Sequence, residues 1–180
     1  GIDIWKGYAN DFFAENQEDF DLITFMHVLE HIEDPLTFIK DLRPHNTKYL
    51  YCEVPSIEGK LLNEPYGLFA QAHLNYFSPH SLENLMNSCG YEVLHMDIDY
   101  MVNDKIANAY PMIRAIFVKA DSPVKKIQQT IFSETSLMEQ YMKVSEHEAE
   151  RLLNHITSHI EASDRIAIWG ASFQTERMLE

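Results

Sequence analysis

The chain has few cysteines, few basic residues and no long hydrophobic runs, and each of these features excludes some classes of protein. Its two cysteines, Cys52 and Cys89, belong to no CxxC pair, so we expect reduced thiols in a cytoplasmic protein. Fourteen basic residues stand against 28 acidic ones, which gives a net charge of −14. Such a chain would repel phosphate backbones, so nucleic acid is not an expected partner. No apolar run reaches the roughly 20 residues that span a bilayer, so no membrane is expected either.

What remains is the composition of an ordinary globular protein. Apolar residues make up 46% of the chain and charged residues 23%, and 180 residues can build one domain with a sizeable core and part of a second. The chain begins without Met in strand-like sequence and stops within helix-like sequence. We therefore expect a fragment of a longer protein.

The segment Phe20–Pro35 is the most informative part of the chain. Its first seven residues, FDLITFM, have the apolar pattern of a buried strand, and the turn that follows contains His27, Glu30 and His31. Open α/β sheets bind ligands outside the carboxyl ends of their parallel strands. The turn after residues 20–26 is therefore a candidate binding site.

Further strands and helices follow from hydrophobic periodicity and from the positions of Pro and Gly. Two strand-like segments without a helix between them, 91–100 and 111–118, predict an antiparallel pair at a sheet edge. The irregular stretch 56–77 predicts a lid or substrate loop. The remaining predictions are a short strand end at 2–5, a loop at Gly7–Asp11, a strand at 49–54, helices that begin after Asp34 and Ser78, a helix end at Gly90, and one or two long helices between 123 and 162.

A metal hydrolase is one alternative for the turn. The spacing His27-x-x-Glu30-His31 matches the zinc motif of inverzincin proteases, in which two imidazoles bind Zn²⁺ and the Glu activates water. That motif needs all its residues in one helix, whereas His27 directly follows a strand. A Mg²⁺ site that adds His73 is disfavoured because Mg²⁺ prefers oxygen ligands. No metal is predicted, and a simple capping and packing turn is the remaining alternative.

Three segments in order resemble a known family. FDLITFMHVLEHIEDPLTFI, YLYCEVPS and HLNYFSPHSLENLMNSCGYEV are together similar to the second half of a class I S-adenosylmethionine-dependent methyltransferase, and more narrowly to sugar C-methyltransferases. The similarity runs from about Gly1 to Lys119. In that family the Gly-rich turn of the first βα unit holds most of the cofactor, and no Gly-x-Gly precedes Phe20. The resemblance therefore places the main cofactor site outside this chain.

The fold implied by the resemblance is α/β, a Rossmann-like methyltransferase sheet that lacks its first strands, with long helices and the start of a second α/β unit. The family order 3-2-1-4-5-7-6 makes residues 20–26 strand 4. Residues 1–15 would then lack a neighbouring strand, so we expect them to be poorly anchored, displaced or completed by another chain. The implied domains are the C-terminal half of a methyltransferase domain at 1–120, a helical linker at 121–163, and the start of a second Rossmann-like domain at 164–180.

The resemblance also implies site residues. The cofactor is S-adenosylmethionine; Ala9 and Asn10 would lie beside its adenine, and Met26 and His27 near its sulfonium. His73 is the first candidate for a general base and His27 the second, since an imidazole titrates near the working pH. Ala72 stands where the family has a Glu, so the carboxylate that would orient His73 is expected to be missing.

The expected function is methyl transfer from S-adenosylmethionine to a small-molecule acceptor, with a nucleotide-linked sugar as one candidate. The fragment alone is expected to be inactive, and a homo-oligomer is a further expectation. Two alternatives remain open at this point. One is the zinc hydrolase, and the other is a non-catalytic interaction module that acts through the long helices.

Overall fold

The computed structural model describes residues 3–16, 18–58, 72–100, 111–121, 131–161 and 163–167. These residues contain a sheet and four α-helices. The strands are β1 (Phe20–Met26), β2 (Asn46–Pro55), β3 (Tyr91–Tyr100) and β4 (Pro111–Lys119). The helices are α1 (Ala9–Glu15), α2 (Pro35–Leu42), α3 (Pro79–Ser88) and α4 (Ile131–Thr157), and short 3-10 turns cover Leu29–His31 and Arg43–His45.

The strands lie in the order β1-β2-β4-β3. The pair β1 and β2 is parallel, whereas β4 runs antiparallel to both β2 and β3. This is the order expected for strands 4, 5, 7 and 6, and the predicted antiparallel pair is present. The α/β class is therefore confirmed. Because β1 and β2 are parallel, their carboxyl ends meet at one edge of the sheet.

Local sequence signals position the two helices that cover the core. Asp34 accepts a hydrogen bond from the Thr37 N–H at 3.0 Å, which caps α2 and lowers the pKa of the Asp34 carboxyl. Ser78 and Ser81 form a capping box at the start of α3. Gly90 lies directly after Cys89, the C-cap of α3, and has a φ of 78°, the left-handed conformation that Gly adopts without strain. The predicted starts of both helices and the predicted end of α3 are thus confirmed.

The core lies between these helices and the sheet. Leu50, Cys52 and Val54 of β2 are fully buried, and the other members of the core are Phe25, Leu29, Phe38, Ile39, Leu42, Phe77, Leu82, Met86, Cys89, Tyr91, Ile113, Ala115 and Phe117. Cys52 and Cys89 are both free thiols, as predicted. Burial raises the pKa of each thiol, that of Cys89 to about 11. Neither thiol is therefore a reactive thiolate at neutral pH.

The N-terminal segment differs from the prediction. Residues 3–5 form no strand, and Ile4 is 91% exposed. A strand needs a neighbour for its backbone hydrogen bonds, and the described residues supply none at this position. Gly7–Asp11 is not a loop throughout, because α1 already begins at Ala9. No residue of α1 is buried, so the helix rests on the domain through partly exposed side chains.

The long helix predicted between 123 and 162 is present as α4. Its Met138 and Tyr141 pack against Ile57 and Tyr76, next to the carboxyl ends of the parallel strands. Most of the predicted lid, residues 59–71, and most of the predicted second Rossmann-like unit, from 168 onward, lie outside the described residues. No helix in the described ranges is both long and apolar enough to cross a bilayer.

Candidate active site

The turn after β1 begins with a residue in an unusual conformation. His27 has a φ of 55°, and among the described residues no other non-glycine residue has a positive φ. For a side chain with a Cβ this conformation costs of order 1 kcal/mol and persists only where its surroundings hold it. Here the His27 N–H donates to the Glu53 carbonyl at 3.0 Å. The left-handed conformation of His27 turns the chain away from the end of β1 and into the 3-10 turn that contains Glu30 and His31.

Glu30 is the buried centre of the site. Only 1% of Glu30 is exposed. Its Oε1 lies 3.1 Å from Nδ1 of His27 and 3.9 Å from Nε2 of His31. A carboxylate in such a position needs cationic or hydrogen-bonding partners, and its Oε2 has no hydrogen-bond partner among the described residues. One oxygen of this buried carboxylate is therefore unsatisfied within the described residues.

Main-chain hydrogen bonds bring His73 to this turn. The N–H groups of Leu74 and Asn75 both donate to the Glu30 carbonyl, at 2.7 and 3.1 Å. His31 Nδ1 lies 2.8 Å from the Ala72 carbonyl, and since a carbonyl can only accept, this nitrogen carries the proton. The rings of His31 and His73 meet edge to face with centroids 4.9 Å apart.

His73 is held in an environment that favours its neutral form. Burial lowers the pKa of His73, and nearby His31 and His27 act in the same direction, while Glu30 opposes them. The buried Nδ1 of His73 has no hydrogen-bond partner within the part of the chain that the structure describes. A carboxylate oxygen of Glu30 and a nitrogen each of His31 and His73 lie within 4.8 Å of one another.

A second buried carboxylate comes from β2. Glu53 is 5% exposed, and its Oε1 lies 3.5 Å from Nε2 of His27. Its Oε2 accepts from the Arg114 guanidinium at 2.6 Å and from the Tyr51 hydroxyl at 3.2 Å. Arg114 also pairs with Asp99. The ring of His27 thus faces Glu30 through one nitrogen and Glu53 through the other.

The structure brings together some of the site residues predicted from sequence and separates others. His27 and His73 lie together at the carboxyl edge, and Met26 ends β1 there with its side chain 59% exposed. Ala9 and Asn10 lie in α1. That helix packs through Phe12 and Phe13 on Phe20, at the amino end of β1. A strand of seven residues spans about 20 Å, so these two positions are not at the same edge as His27.

Two charged residues at this edge of the sheet were not predicted from the sequence. Glu53 is the one charged residue in YLYCEVP, and Arg114 is the one in PMIRAIFV. A lone charge inside a buried strand is rarely there without a partner, and this was the signal available. The orienting carboxylate that Ala72 cannot supply is also present nearby, because Glu30 lies within 4.8 Å of a nitrogen of His73.

The chain is similar in sequence to a known protein family, and in part of its fold to solved structures. A family model described as "Methyltransferase domain" matches residues 2–96, more than half of the chain. In sequence, no curated protein is significantly similar to the chain.

Two solved structures are similar in part. A SAM-dependent methyltransferase from Methanosarcina mazei is 15% identical with a TM-score of 0.45, and the similarity covers 58% of this chain and 63% of that one. Magnesium protoporphyrin IX methyltransferase from Synechocystis PCC 6803, solved with bound SAH, is 10% identical with a TM-score of 0.42, over 59% and 48%. The chain thus matches less than two thirds of the length of either structure.

Proposed function

The chain belongs to the methyltransferase-domain family, and from this premise we propose that it forms part of an enzyme that transfers a methyl group from S-adenosylmethionine to a small molecule. The observation that carries the proposal is the family match over residues 2–96, which contains the strained turn after β1. The strand order β1-β2-β4-β3 agrees with the second half of such a sheet. The zinc hydrolase is not favoured, because His27 lies in a left-handed turn and shares no helix with His31.

The proposed donor side of the site is the carboxyl end of β1. Met26 and His27 would lie near the sulfonium of S-adenosylmethionine, as the resemblance implies. The carboxyl groups of Glu30 and Glu53 at this edge suit a cationic ligand better than a neutral one. Ala9 and Asn10 stay predictions for the adenine, and their position in α1 at the other end of β1 does not support them.

The proposed general base is His73. It has a buried nitrogen without a hydrogen-bond partner among the described residues, and a carboxylate close enough to stabilise the imidazolium that forms when it accepts a proton. In the transfer, the acceptor atom would lose its proton to His73 while the methyl carbon breaks its bond to sulfur and bonds to the acceptor. The donor leaves as S-adenosylhomocysteine. Alignment of acceptor and sulfonium would supply much of the rate. His27 is the second candidate, but both its nitrogens already face carboxylates.

The finer parts of the proposal rest on the resemblance to sugar C-methyltransferases. A nucleotide-linked sugar is the proposed acceptor class, because HLNYFS at 73–78 is similar to the segment that precedes the final strands in those enzymes. The proposed domain limits are 1–120, 121–163 and 164–180. A cytoplasmic location is proposed on the free, buried thiols, and a homo-oligomer stays a proposal.

Calorimetric titration of the intact protein with S-adenosylhomocysteine tests the proposal. We expect a saturable heat with one ligand per chain. The Glu53→Gln variant, which removes a carboxylate beside His27, should weaken the affinity for S-adenosylmethionine, whose sulfonium is a cation, more than the affinity for S-adenosylhomocysteine. The absence of any saturable heat from the folded protein would contradict the proposal.

A further inference from the structure

We propose that Glu30, His31 and His73 form a binding site for a divalent ion of the zinc type. One carboxylate oxygen and two imidazole nitrogens, one per residue, lie within 4.8 Å of one another. This mixture of nitrogen and oxygen donors suits Zn²⁺ and its neighbours in the first transition row, whereas Mg²⁺ prefers oxygen donors. The ligand set differs from the H-x-x-E-H motif, since His73 takes the place of His27. It also replaces the sequence-based expectation of no metal.

Two buried polar atoms point to a missing ligand. Oε2 of Glu30 and Nδ1 of His73 are both buried and have no hydrogen-bond partner among the described residues. Glu30 itself is only 1% exposed. Buried polar atoms are nearly always satisfied, and each exception calls for a water, an ion or a function. Two such atoms on two members of one cluster of metal-binding residues are best explained by an ion that binds both residues.

The protein orients the ligands before the ion arrives. His31 donates from Nδ1 to the Ala72 carbonyl, which leaves Nε2 of the neutral ring with its lone pair directed away from that bond. Metal-binding histidines are commonly oriented in this way by a carbonyl on their second nitrogen. The backbone bonds from Leu74 and Asn75 to the Glu30 carbonyl hold the two ligand-bearing segments together.

The three ligand atoms, which lie within 4.8 Å of one another, must approach further to close the site. Oε1 of Glu30 and Nε2 of His31 lie 3.9 Å apart. Ligand atoms around a tetrahedral zinc with bonds of 2.0–2.1 Å lie about 3.3 Å apart. The His31 side chain is 40% exposed, which provides a route for the ion. His27, bonded to Glu30 at 3.1 Å, would support the ligating carboxylate from outside.

The ion would also affect the methyl transfer proposed above. Zn²⁺ bound to a nitrogen of His73 occupies the base, so it should inhibit proton removal from the acceptor. This consequence rests on the proposed function, whereas the binding itself does not.

Cobalt and zinc titrations of the chelator-treated intact protein test the site. Co²⁺ bound to imidazole and carboxylate in a low-coordinate site absorbs visible light, and Zn²⁺ should displace it. The variants are His31→Gln and His73→Gln. The matched control is the double variant His155→Gln/His159→Gln, which removes the exposed histidine pair of the C-terminal region, whose rings lie 4.7 Å apart. We expect each site variant to weaken Zn²⁺ binding by at least about tenfold and the control to leave it unchanged.

The opposite pattern would overturn the proposal. It is wrong if the wild-type protein binds no Co²⁺ or Zn²⁺ under excess ion, or if the His155/His159 control loses the binding while His31→Gln keeps it. Because His31 is exposed, its replacement should leave the fold intact, and thermal melting of each variant checks this. Titration of the wild-type protein with S-adenosylhomocysteine separates the two proposals. If the wild-type protein binds zinc but gives no saturable heat with S-adenosylhomocysteine, only the methyltransferase proposal is contradicted.

Discussion

The two ends of β1 differ sharply in what surrounds them. At the amino end, Phe20 packs among the aromatic rings of Phe12 and Phe13, and Phe13 stacks on His45. At the carboxyl end, the chain enters a strained turn whose side chains contact two buried carboxylates. The first arrangement consists of aromatic contacts, with the exposed ion pair of Asp21 and Lys48 beside it. The second is costly for the fold, and such costs are typical of functional sites.

Loss of His73 should have the largest effect of any change at the carboxyl end. We expect His73→Gln to lower kcat of the intact enzyme by about 10²- to 10⁴-fold, the usual contribution of a general base, with little change in the affinity for S-adenosylhomocysteine. Initial rates with labelled S-adenosylmethionine measure this. His155→Gln on α4 is the control. If His73→Gln kept the wild-type kcat, His73 would not be the base.

Removal of the second carboxylate should cost stability as well as binding. Glu53→Gln leaves Arg114 without its buried negative partner, and His27 keeps only Glu30. Removing one member of a buried pair costs about 3–5 kcal/mol, and the partial exposure of Arg114 reduces this to roughly 1–3 kcal/mol. Urea denaturation gives the value. The exposed partner of Arg114 provides a comparison, since Asp99→Asn should cost about 1 kcal/mol or less. Equal losses in both variants would contradict the buried role of Glu53.

A change at the amino end should separate stability from chemistry. We expect Phe13→Ala to lower the free energy of unfolding by about 1–2 kcal/mol, because it removes aromatic contacts with Phe20 and His45. Its kcat should stay at the wild-type value, since these rings lie a strand length away from His73. Urea denaturation and initial rates are measured on the same preparation. A large loss of kcat in a folded Phe13→Ala protein would contradict the claim that only the carboxyl end of β1 takes part in the chemistry.

The smallest expected effect concerns the cap that follows the turn. The bond from the Thr37 N–H lowers the pKa of Asp34 from its ordinary value of 3.8. A lowered carboxyl pKa stabilises the fold above the unfolded value and loses this contribution as the pH falls through the folded value. We therefore expect Asp34→Ala to lower the Tm at neutral pH by an amount that shrinks below pH 3.8. A difference in Tm that grew toward acid pH would show that the carboxylate is not the stabilising form.

Much of the fold followed from local sequence signals. The run at 20–26 forms a strand with those limits because an apolar segment stops at a polar turn. The capping residues Asp34 and Ser78 begin their helices, and Gly90 ends the second, for reasons that depend only on nearby backbone. The predicted strand end at 2–5 was wrong because a strand depends on its neighbour. The resemblance had already implied that this neighbour is missing, and the 91% exposure of Ile4 agrees with the expectation of a poorly anchored segment.

The site was predictable only in part, for a related reason. His27, Glu30, His31 and His73 were singled out because they follow a strand or a resembling segment. The bond between Glu53 and Arg114 depends on the register of β2 against β4, which sets these two residues opposite each other across 61 positions of sequence. The contact of Glu30 with His73 depends on the main-chain bonds to Leu74 and Asn75. Such long-range contacts leave no periodic trace in a single sequence.

Photolabelling of the intact protein with S-adenosylmethionine that carries a tritiated methyl group tests the central claim most directly. The claim is that the reacting methyl lies at the carboxyl end of β1. After irradiation and proteolysis, we expect the label from this chain on peptides that contain residues 26–31 or 72–76. Label on the peptide that contains α1 at the other end of β1, or on no peptide of this chain, would contradict it.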